Sequence, residues 1–483
     1  MGRRGLVFLA PSLILGALLW TEPRQGASQP APAPEAALAA RLRALVDEAG
    51  IGRGLGVSVV DIVSGRSLFS HNSGQALNPA SNAKIPTAIA ALSGLHPEYR
   101  WQTTVHGRAS EGVVSGSIYI KGYGDPTLDT AGLLGLAHEL RADGIRRVDG
   151  GVVADDTFFD RVYTPPAFDQ QPDEDATFRA NVGGLNVNGN TVVFRVAPGS
   201  ADGAPARVTV EPPGAVAIDN QAVTGPTTAV RIGLQLTATG ASARVWGSVG
   251  PERVAYRKRI ENPSLAAGHA FRDALRSVGI RVAEAVTVGA TPPGTRLLAS
   301  RKSPPLSAVL YDLGKSSDNF VAETVFKTLG AELEGRPGTW ARAKAAVERT
   351  LSRFGIAPGT CTIVNGSGLF DANRISAQQM TALLGAALRD PTISSELVAQ
   401  LATAGADGTL RGRLHGAPTE RAVRAKTGTL DGVISLSGYV LPPPGRSPIA
   451  FSVLANGVRG RQGSARQLAD SIATEIARFL YRR

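Results

Sequence analysis

The 483-residue chain has few of the residue types on which several kinds of site depend. Its one cysteine, Cys361, excludes a disulfide framework and a thiolate metal site, and is best interpreted as a small buried apolar residue. The six histidines include no HExxH pair, which excludes that type of zinc site. Aromatic residues make up 5% and do not alternate with basic clusters. The net charge of +11 therefore does not indicate a nucleic-acid partner.

Lysine is also rare, since only eight of the 51 basic residues are lysines. Arginine stays charged, whereas a buried lysine can lose its proton and act as a base. Of the eight, only Lys84 has a serine, Ser81, three positions before it, in the stretch NPASNAKIPTAIAAL. Residues at i and i+3 share a helix face, and the apolar run that follows is typical of a buried helix. The pair predicts a nucleophile beside its base; the alternative is a helix N-cap at Ser81 and an unrelated lysine.

The first residues, MGRRGLVFLAPSLILGALLW, combine two arginines with an apolar run too short for a comfortable membrane span. This pattern predicts a signal peptide over residues 1–28 and a Pro/Ala-rich linker over residues 29–36. We therefore expect export to the periplasm or cell envelope. Hydrophobic residues make up 43% of the chain, as in a globular protein with a large core.

Patterning along the chain indicates a mixed domain with a long insertion. An amphipathic helix near residue 37 and a hairpin turning at Ser64-Gly65 precede the Ser81 stretch. From about residue 96, short β-type runs alternate with Gly/Pro turns and are broken by one helix at AGLLGLAHELRADG. Helical patterns return near residue 305. We predict a catalytic domain over residues 37–95 and 296–483, and a β-rich insertion over residues 96–295 with two nested subdomains.

Two later segments offer the other groups that Ser–Lys chemistry needs. A second hydroxyl must relay the proton, donors must meet the oxyanion, and a cation must hold an anionic substrate. Ser317-Asp318-Asn319 stands at the entrance of a predicted helix. Lys426-Thr427-Gly428-Thr429 leads into a predicted strand, where Gly428 would allow close approach to the backbone.

The ordered set S-x-x-K, S-D-N and K-T-G resembles that of the penicillin-recognising serine DD-peptidases and serine β-lactamases. About 235 residues separate Ser81 from Ser317, far more than in a compact β-lactamase, whereas the separation of about 110 residues from Ser317 to Lys426 is typical of the family. The long first interval resembles the D-alanyl-D-alanine carboxypeptidase/endopeptidase group, the class C low-molecular-mass penicillin-binding proteins (peptidase family S13). The stretches GYGDPTL, GLNVNGN, NGSGLFDANRIS and AGADGTLRGRL agree with this group.

The resemblance implies a role for each catalytic candidate. Ser81 Oγ would attack the carbonyl of the penultimate D-Ala, and a neutral Lys84 would take its proton. Ser317 would pass a proton to the departing D-amino acid, and Asn319 would orient the peptide amide. Lys426 would lower the pKa of Lys84 by like-charge repulsion.

The resemblance also implies substrate-binding residues. Thr427 and Thr429, with Lys426, would hold the terminal carboxylate beside Gly428. The backbone N–H groups of Ser81 and Thr429 would form the oxyanion hole. Asp155 best matches the aspartate with which relatives bind the amino group of a diaminopimelate side chain; otherwise it is a polar residue at a strand end.

We therefore expect an α/β (α+β) core of the penicillin-binding and serine β-lactamase type, in which helices cover an antiparallel sheet. The expected activity is hydrolysis of D-Ala-D-Ala, and of peptidoglycan cross-links, through an acyl-enzyme on Ser81. No metal or organic cofactor is needed, penicillin would remain attached to Ser81, and no specific protein partner is inferred. Two alternatives are a serine β-lactamase-like hydrolase and a catalytically silent protein that binds the cell wall through its positive charge.

Overall fold

The structure is a computed structural model and describes residues 33–171, 176–237 and 240–482. The predicted signal peptide over residues 1–28 and the first part of the predicted linker lie outside these residues. Within the described ranges, none of the helices combines the length and the apolar character needed to cross a bilayer.

Several helices of the described residues begin at a side chain that caps them. Asp129, Thr339 and Ser376 each accept a hydrogen bond from a backbone N–H in the first turn of the helix that follows. In chain order the helices are α1 (Pro34–Ala49), α2 (Lys84–Leu95), α3 (Thr130–Ala142), α4 (Pro263–Ser277), α5 (Leu306–Gly314), α6 (Asn319–Leu333), α7 (Trp340–Arg353), α8 (Ala377–Arg389), α9 (Ser394–Gln400) and α10 (Gln462–Tyr481).

The strands of the described residues include the predicted hairpin. In chain order they are β1 (Leu55–Asp61), β2 (Ser67–His71), β3 (Ala76–Leu77), β4 (Gln102–Ser110), β5 (Val113–Gly122), β6 (Arg147–Val148), β7 (Val152–Asp155), β8 (Thr191–Ala197), β9 (Arg207–Glu211), β10 (Ala217–Thr224), β11 (Arg231–Thr237), β12 (Gly240–Val249), β13 (Val254–Arg259), β14 (Val286–Val288), β15 (Arg296–Lys302), β16 (Ile375–Ser376), β17 (Ala402–Thr403), β18 (Val423–Leu430), β19 (Val433–Val440) and β20 (Ile449–Asn456). Strands β1 and β2 pair antiparallel, which confirms the hairpin.

A six-stranded antiparallel sheet of order β17-β18-β19-β20-β1-β2 organises the body that carries the three motifs. Side chains on β20 alternate between its faces: Phe451 and Val453 pack in the cluster formed with α1 and α10, whereas Ala450 belongs to the cluster that includes α2 and α8. Helices therefore cover both faces of an antiparallel sheet, and the predicted fold class is confirmed.

Helix α2 lies in the middle of this body. Every residue from Lys84 to Leu92 is buried, and the helix packs against α5, α6 and α7. A helix that is apolar on all sides is stable only inside a core. Its polar first residue is therefore buried as well, and needs partners from other elements.

The segment predicted as an insertion forms three further sheets. A mixed sheet of order β14-β7-β5-β4-β15, with β6 beside β5, shares one apolar cluster with α3 and α4. The sheets β13-β8-β9 and β10-β12-β11 enclose a second cluster, which includes Phe194 and Val245. Because the second cluster comes from a stretch of chain nested inside the first, we propose that the two clusters are the two subdomains.

Two features of this segment differ from the sequence-based expectations. Helix α4 was not predicted, although Asn262 caps it and Pro263 stands at its first position, a combination that marks a helix start. Strand β15 starts at residue 296, where the catalytic domain was expected to resume, but it pairs with β4. We therefore propose that the inserted region extends to Lys302.

Candidate active site

The Ser81 hydroxyl lies at the start of the buried helix α2. Ser81 belongs to a single 3-10 turn over residues 80–83, and Lys84 begins the α-helix. Lys84 Nζ donates to Ser81 Oγ at 3.1 Å. Neither helical segment has a side-chain cap, so the N-cap interpretation of Ser81 is wrong. The hydroxyl contacts the amine instead.

The Lys84 amine is fully enclosed. Besides Ser81 it donates to Asn319 Oδ1 at 2.7 Å and to the Ser367 carbonyl at 2.9 Å. Burial lowers the pKa of Lys84 to about 7, while the charges of Glu323 and Asp318 act in the opposite direction. The amine can therefore exist in its neutral form, the form that accepts a proton, close to neutral pH.

The Ser317-Asp318-Asn319 motif forms the entrance of α6, as predicted from its position. Asp318 caps the helix by accepting from the Val321 N–H at 2.9 Å. Ser317 adopts the left-handed backbone conformation, with φ of 60°, which is costly for a residue other than glycine. Asn319 bridges two partners, because its Oδ1 accepts from Lys84 and its Nδ2 donates to the Phe178 carbonyl at 3.1 Å.

Lys426 enters the same pocket from β18. Its Nζ donates to Ser317 Oγ at 2.8 Å and to the Thr427 carbonyl at 2.9 Å, and its side chain is buried. Burial first, and then the like charge of Lys84, hold the pKa of Lys426 well below its ordinary value. The resemblance implied that like-charge repulsion is what depresses Lys84; in the structure burial is the main cause.

The residues after Lys426 run beside the nucleophile. A Cβ added to Gly428 would meet Ser435 Oγ at 2.2 Å and both the Pro79 carbonyl and the Ser81 nitrogen at 3.0 Å. Because Gly428 has no side chain, β18 itself can lie close to the Ser81 segment. The sequence had indicated only that a ligand could approach the backbone here. Thr427 Oγ1 donates to Thr409 Oγ1 at 2.8 Å, which ties β18 to the AGADGTL loop.

An open cleft of about 930 Å³ gives access to these groups. Its lining includes residues from all three motif segments and residues from other parts of the chain. Its lining residues are Asn78, Ser81, Gln170, Gln171, Phe178, Ser317, Asn319, Leu369, Phe370, Asp371, Arg374, Thr429, Leu430, Asp431, Gly432, Val433, Asn456, Gly457 and Arg459.

Asp155 is not among the residues that line this cleft. Its side chain has no exposed surface and forms an ion pair with Lys121 at 3.1 Å. Its oxygens also accept hydrogen bonds from the backbone N–H groups of Thr157 and Thr291. These hydrogen bonds outweigh burial and lower the pKa of Asp155 to about 2. A substrate amine would have to displace these partners, and the binding role of Asp155 stays a prediction.

Three polar residues at the site were missed by sequence reasoning. Asn82 is buried, donates to the Lys426 carbonyl at 2.8 Å and accepts from Ser437 Oγ at 2.7 Å. Glu323 is fully buried, and Ser367 supplies the carbonyl that Lys84 contacts. Glu323 could have been found, because it is the one charged residue in the run FVAETVF, which is otherwise apolar except for Thr324.

These contacts define a class of protein: an acyl hydrolase in which a serine hydroxyl accepts a hydrogen bond from a buried lysine, with a second Ser–Lys pair across the cleft. Comparison with known proteins identifies the group within that class. The pattern of the D-Ala-D-Ala carboxypeptidase 3 (S13) family matches residues 38–476. The chain belongs to this family, and it is a serine-type D-Ala-D-Ala carboxypeptidase.

Individual relatives agree with this assignment. The chain is 35% identical over 455 residues to a D-alanyl-D-alanine carboxypeptidase of an Actinomadura species, covering 90% of this chain and 83% of the relative. The crystal structure of penicillin binding protein 4 (dacB) from Haemophilus influenzae superposes with a TM-score of 0.75 at 22% identity, covering 90% of this chain and 99% of that one. A second crystal structure of that protein, in complex with a β-lactam, has a TM-score of 0.71, also at 22% identity, and covers the same shares of the two chains. These likenesses to solved structures show the fold.

Proposed function

We propose that this carboxypeptidase works through an acyl-enzyme on Ser81, formed on the penultimate D-Ala of peptidoglycan stem peptides. The observation that carries the proposal is the 3.1 Å contact between Ser81 Oγ and the enclosed amine of Lys84. A serine hydroxyl is a weak nucleophile until a base removes its proton. An amine with a pKa of about 7 is matched to that task near neutral pH.

In the acylation step, Lys84 Nζ takes the proton as Ser81 Oγ forms a bond to the D-Ala carbonyl carbon. The bond to the terminal D-Ala nitrogen then breaks, and this nitrogen must gain a proton. Ser317 Oγ gives up its proton to the leaving amine and is reprotonated from Lys426. The contact between Ser317 and Lys426 at 2.8 Å supports this route. Water then attacks the ester carbon and passes a proton through Ser317 Oγ to Lys426. Lys84 Nζ returns its proton to Ser81 Oγ as the ester bond breaks, so the acid is released and Ser81 and both lysines are restored.

The oxyanion that forms during each attack needs donors fixed in advance. We propose the backbone N–H groups of Ser81 and Thr429 for this role. The close approach of β18 to the Ser81 segment at Gly428 supports the pairing, because a side chain there would hold the two backbones apart. Asn319 would orient the substrate amide from the opposite side, where it already bridges Lys84 and the Phe178 carbonyl.

We assign the terminal carboxylate of the substrate to Lys426, Thr427 and Thr429. Thr429 lines the cleft beside Ser81, and Lys426 is the buried cation of this side of the site. A bound carboxylate favours the protonated amine, so it would raise the lowered pKa of Lys426 and keep this amine protonated until Ser317 takes up its proton. Penicillin carries a carboxylate and a reactive amide, and would acylate Ser81 in the same way.

The proposal also includes a second reaction, the cleavage of cross-links, and a cellular location. Endopeptidase cleavage of cross-links requires that the departing group be larger than D-Ala, which the open cleft of about 930 Å³ allows. Access to peptidoglycan requires a location in the cell envelope, as the signal-peptide pattern over residues 1–28 predicts.

Intact-mass measurement after incubation with labelled penicillin, followed by peptide mapping, tests the proposal. We expect one added penicilloyl group on the peptide that contains Ser81, and release of D-Ala from a D-Ala-D-Ala peptide. Ser81→Ala should give neither. An adduct lost within seconds would indicate a β-lactamase. Binding to peptidoglycan without an adduct or D-Ala release would indicate a silent binding protein.

A further inference from the structure

A buried carboxylate without a part in the reaction described above lies one turn beyond Asn319 on α6. Glu323 has no exposed surface. Its Oε2 accepts from the Gly366 N–H at 3.0 Å and its Oε1 accepts from the Ser367 N–H at 2.8 Å. Burial of a carboxylate is costly unless donors surround it. Both oxygens of Glu323 are thus used to hold one tight turn of the chain.

The same turn contacts the base from its other side. The Ser367 carbonyl accepts from Lys84 Nζ at 2.9 Å, and the Gly366 carbonyl accepts from Thr87 Oγ1 at 3.0 Å. The N–H groups of the turn therefore bind α6, while its carbonyls bind α2. Among the described residues Lys84 forms no ion pair. The turn links its amine to the Glu323 carboxylate, because the Ser367 carbonyl accepts from Lys84 and the Ser367 N–H donates to Glu323.

Charged groups face Lys84 from two elements. Glu323 and Asp318 belong to α6 and its cap, and their negative charges favour the protonated amine. Lys426 on β18 carries a charge of the same sign as that of Lys84. Burial raises the pKa of Glu323, whereas its hydrogen bonds and the charge of Lys84 act to lower it. Of the two carboxylates, Glu323 does more to raise the pKa of Lys84.

We propose that Glu323 is a positioning residue for Lys84. Its carboxylate fixes the Gly366-Ser367 turn, whose carbonyl directs the amine toward the Ser81 hydroxyl, and its negative charge sets the pH range in which the amine is neutral. This role rests on the proposed function, since it acts through the base of that reaction. It differs from a purely structural role because the length of the Glu323 side chain and its charge have separate effects on the reaction.

Two variants separate the effect of side-chain length at Glu323 from the effect of its charge. Glu323→Gln removes the charge and one of the two acceptors, so Lys84 loses its proton more easily. We expect the acid limb of the penicillin acylation rate to move to lower pH by about half a unit or more, and the plateau to fall about tenfold. Glu323→Asp keeps the charge but is too short to reach both N–H groups. Its acid limb should stay in place while its plateau falls.

Thr324→Val is the matched control, because Thr324 is buried next to Glu323 but its hydroxyl donates to the Phe320 carbonyl. We expect a wild-type pH profile for it. If wild-type protein forms no adduct, the proposed function fails. If the wild type reacts and Glu323→Gln keeps the same acid limb, only the positioning role fails. Should Glu323→Gln not fold, an undiminished plateau in Glu323→Asp would overturn the inference.

Discussion

Two regions of this molecule each bury a lysine that lies on helix α6 or contacts it, and the two lysines have different partners. At the junction with the inserted region, Lys327 projects from α6 and has no exposed side chain. Its ammonium forms an ion pair with Asp160 at 2.6 Å and donates to the Val162 carbonyl at 2.9 Å. It also lies 4.7 Å from the centre of the Trp340 ring. This lysine is held by an opposite charge and an aromatic face.

At the floor of the cleft, Lys84 reaches α6 from α2 with equally complete burial. Its three partners are a hydroxyl, an amide oxygen and a backbone carbonyl. Burial lowers the pKa of both lysines, but Lys327 is compensated by the Asp160 ion pair. Burial alone therefore does not make a lysine a base. A buried amine without a contacting carboxylate can lose its proton, whereas a paired one stabilises the fold.

The largest effect is expected from removing the uncompensated lysine. Lys84→Met keeps the volume of the side chain but removes the proton acceptor, so acylation by penicillin should fall about 10³-fold. Stopped-flow fluorescence with a labelled penicillin measures the rate, and circular dichroism checks the fold. A loss below about tenfold in a folded variant would show that another group activates Ser81.

A second change leaves both lysines in place and moves the hydroxyl. In Gly428→Ala the new methyl would lie 2.2 Å from Ser435 Oγ and 3.0 Å from the Ser81 nitrogen, so β18 or the Ser81 segment must shift. A shift of about 1 Å should lower the acylation rate about 10²-fold. The same labelled penicillin reports the rate.

Gly412→Ala is the matched control for that change, because a Cβ at Gly412 would meet nothing within 4 Å. It should react at the wild-type rate. Equal rates for Gly428→Ala and Gly412→Ala would mean that β18 does not constrain the nucleophile.

A third experiment needs no variant, because it follows the titration of Lys84 in the wild-type protein. With a pKa of about 7, Lys84 is protonated below and neutral above that pH. The acylation rate should therefore rise with pH through about 7, and fall about tenfold for each unit on the acid side. Rates measured from about pH 5 to about pH 9 test this. A flat profile over that range would exclude titration of the base.

Much of the site could be predicted because its residues stand in short local motifs. Ser81 and Lys84 are three positions apart, and the Asp318 cap places Ser317 and Asn319 at a helix start. Such spacings are set by local backbone geometry. Their convergence was implied only by the resemblance to a family.

The parts that could not be predicted depend on contacts between distant segments. The bonds between Glu323 and the Ser367 turn join residues 44 positions apart, and no local pattern encodes them. The strand pairing of β15 with β4 likewise spans the whole insertion. Helix α4 is a different case, since its Asn262-Pro263 start was visible in the sequence but was outweighed by the surrounding β-type runs.

The smallest effect on catalysis is expected at the compensated lysine. Lys327→Met leaves Asp160 without its partner, so the free energy of unfolding should fall by about 3 kcal/mol, while the folded fraction acylates at the wild-type rate. Lys344→Met is the control, because its half-exposed pair with Glu348 should contribute less than about 1 kcal/mol. Urea unfolding measures stability, and labelled penicillin measures the rate in the same samples. A fall in the acylation rate of folded Lys327→Met comparable to that of Lys84→Met would erase the distinction between the two lysines, since both would then serve the reaction.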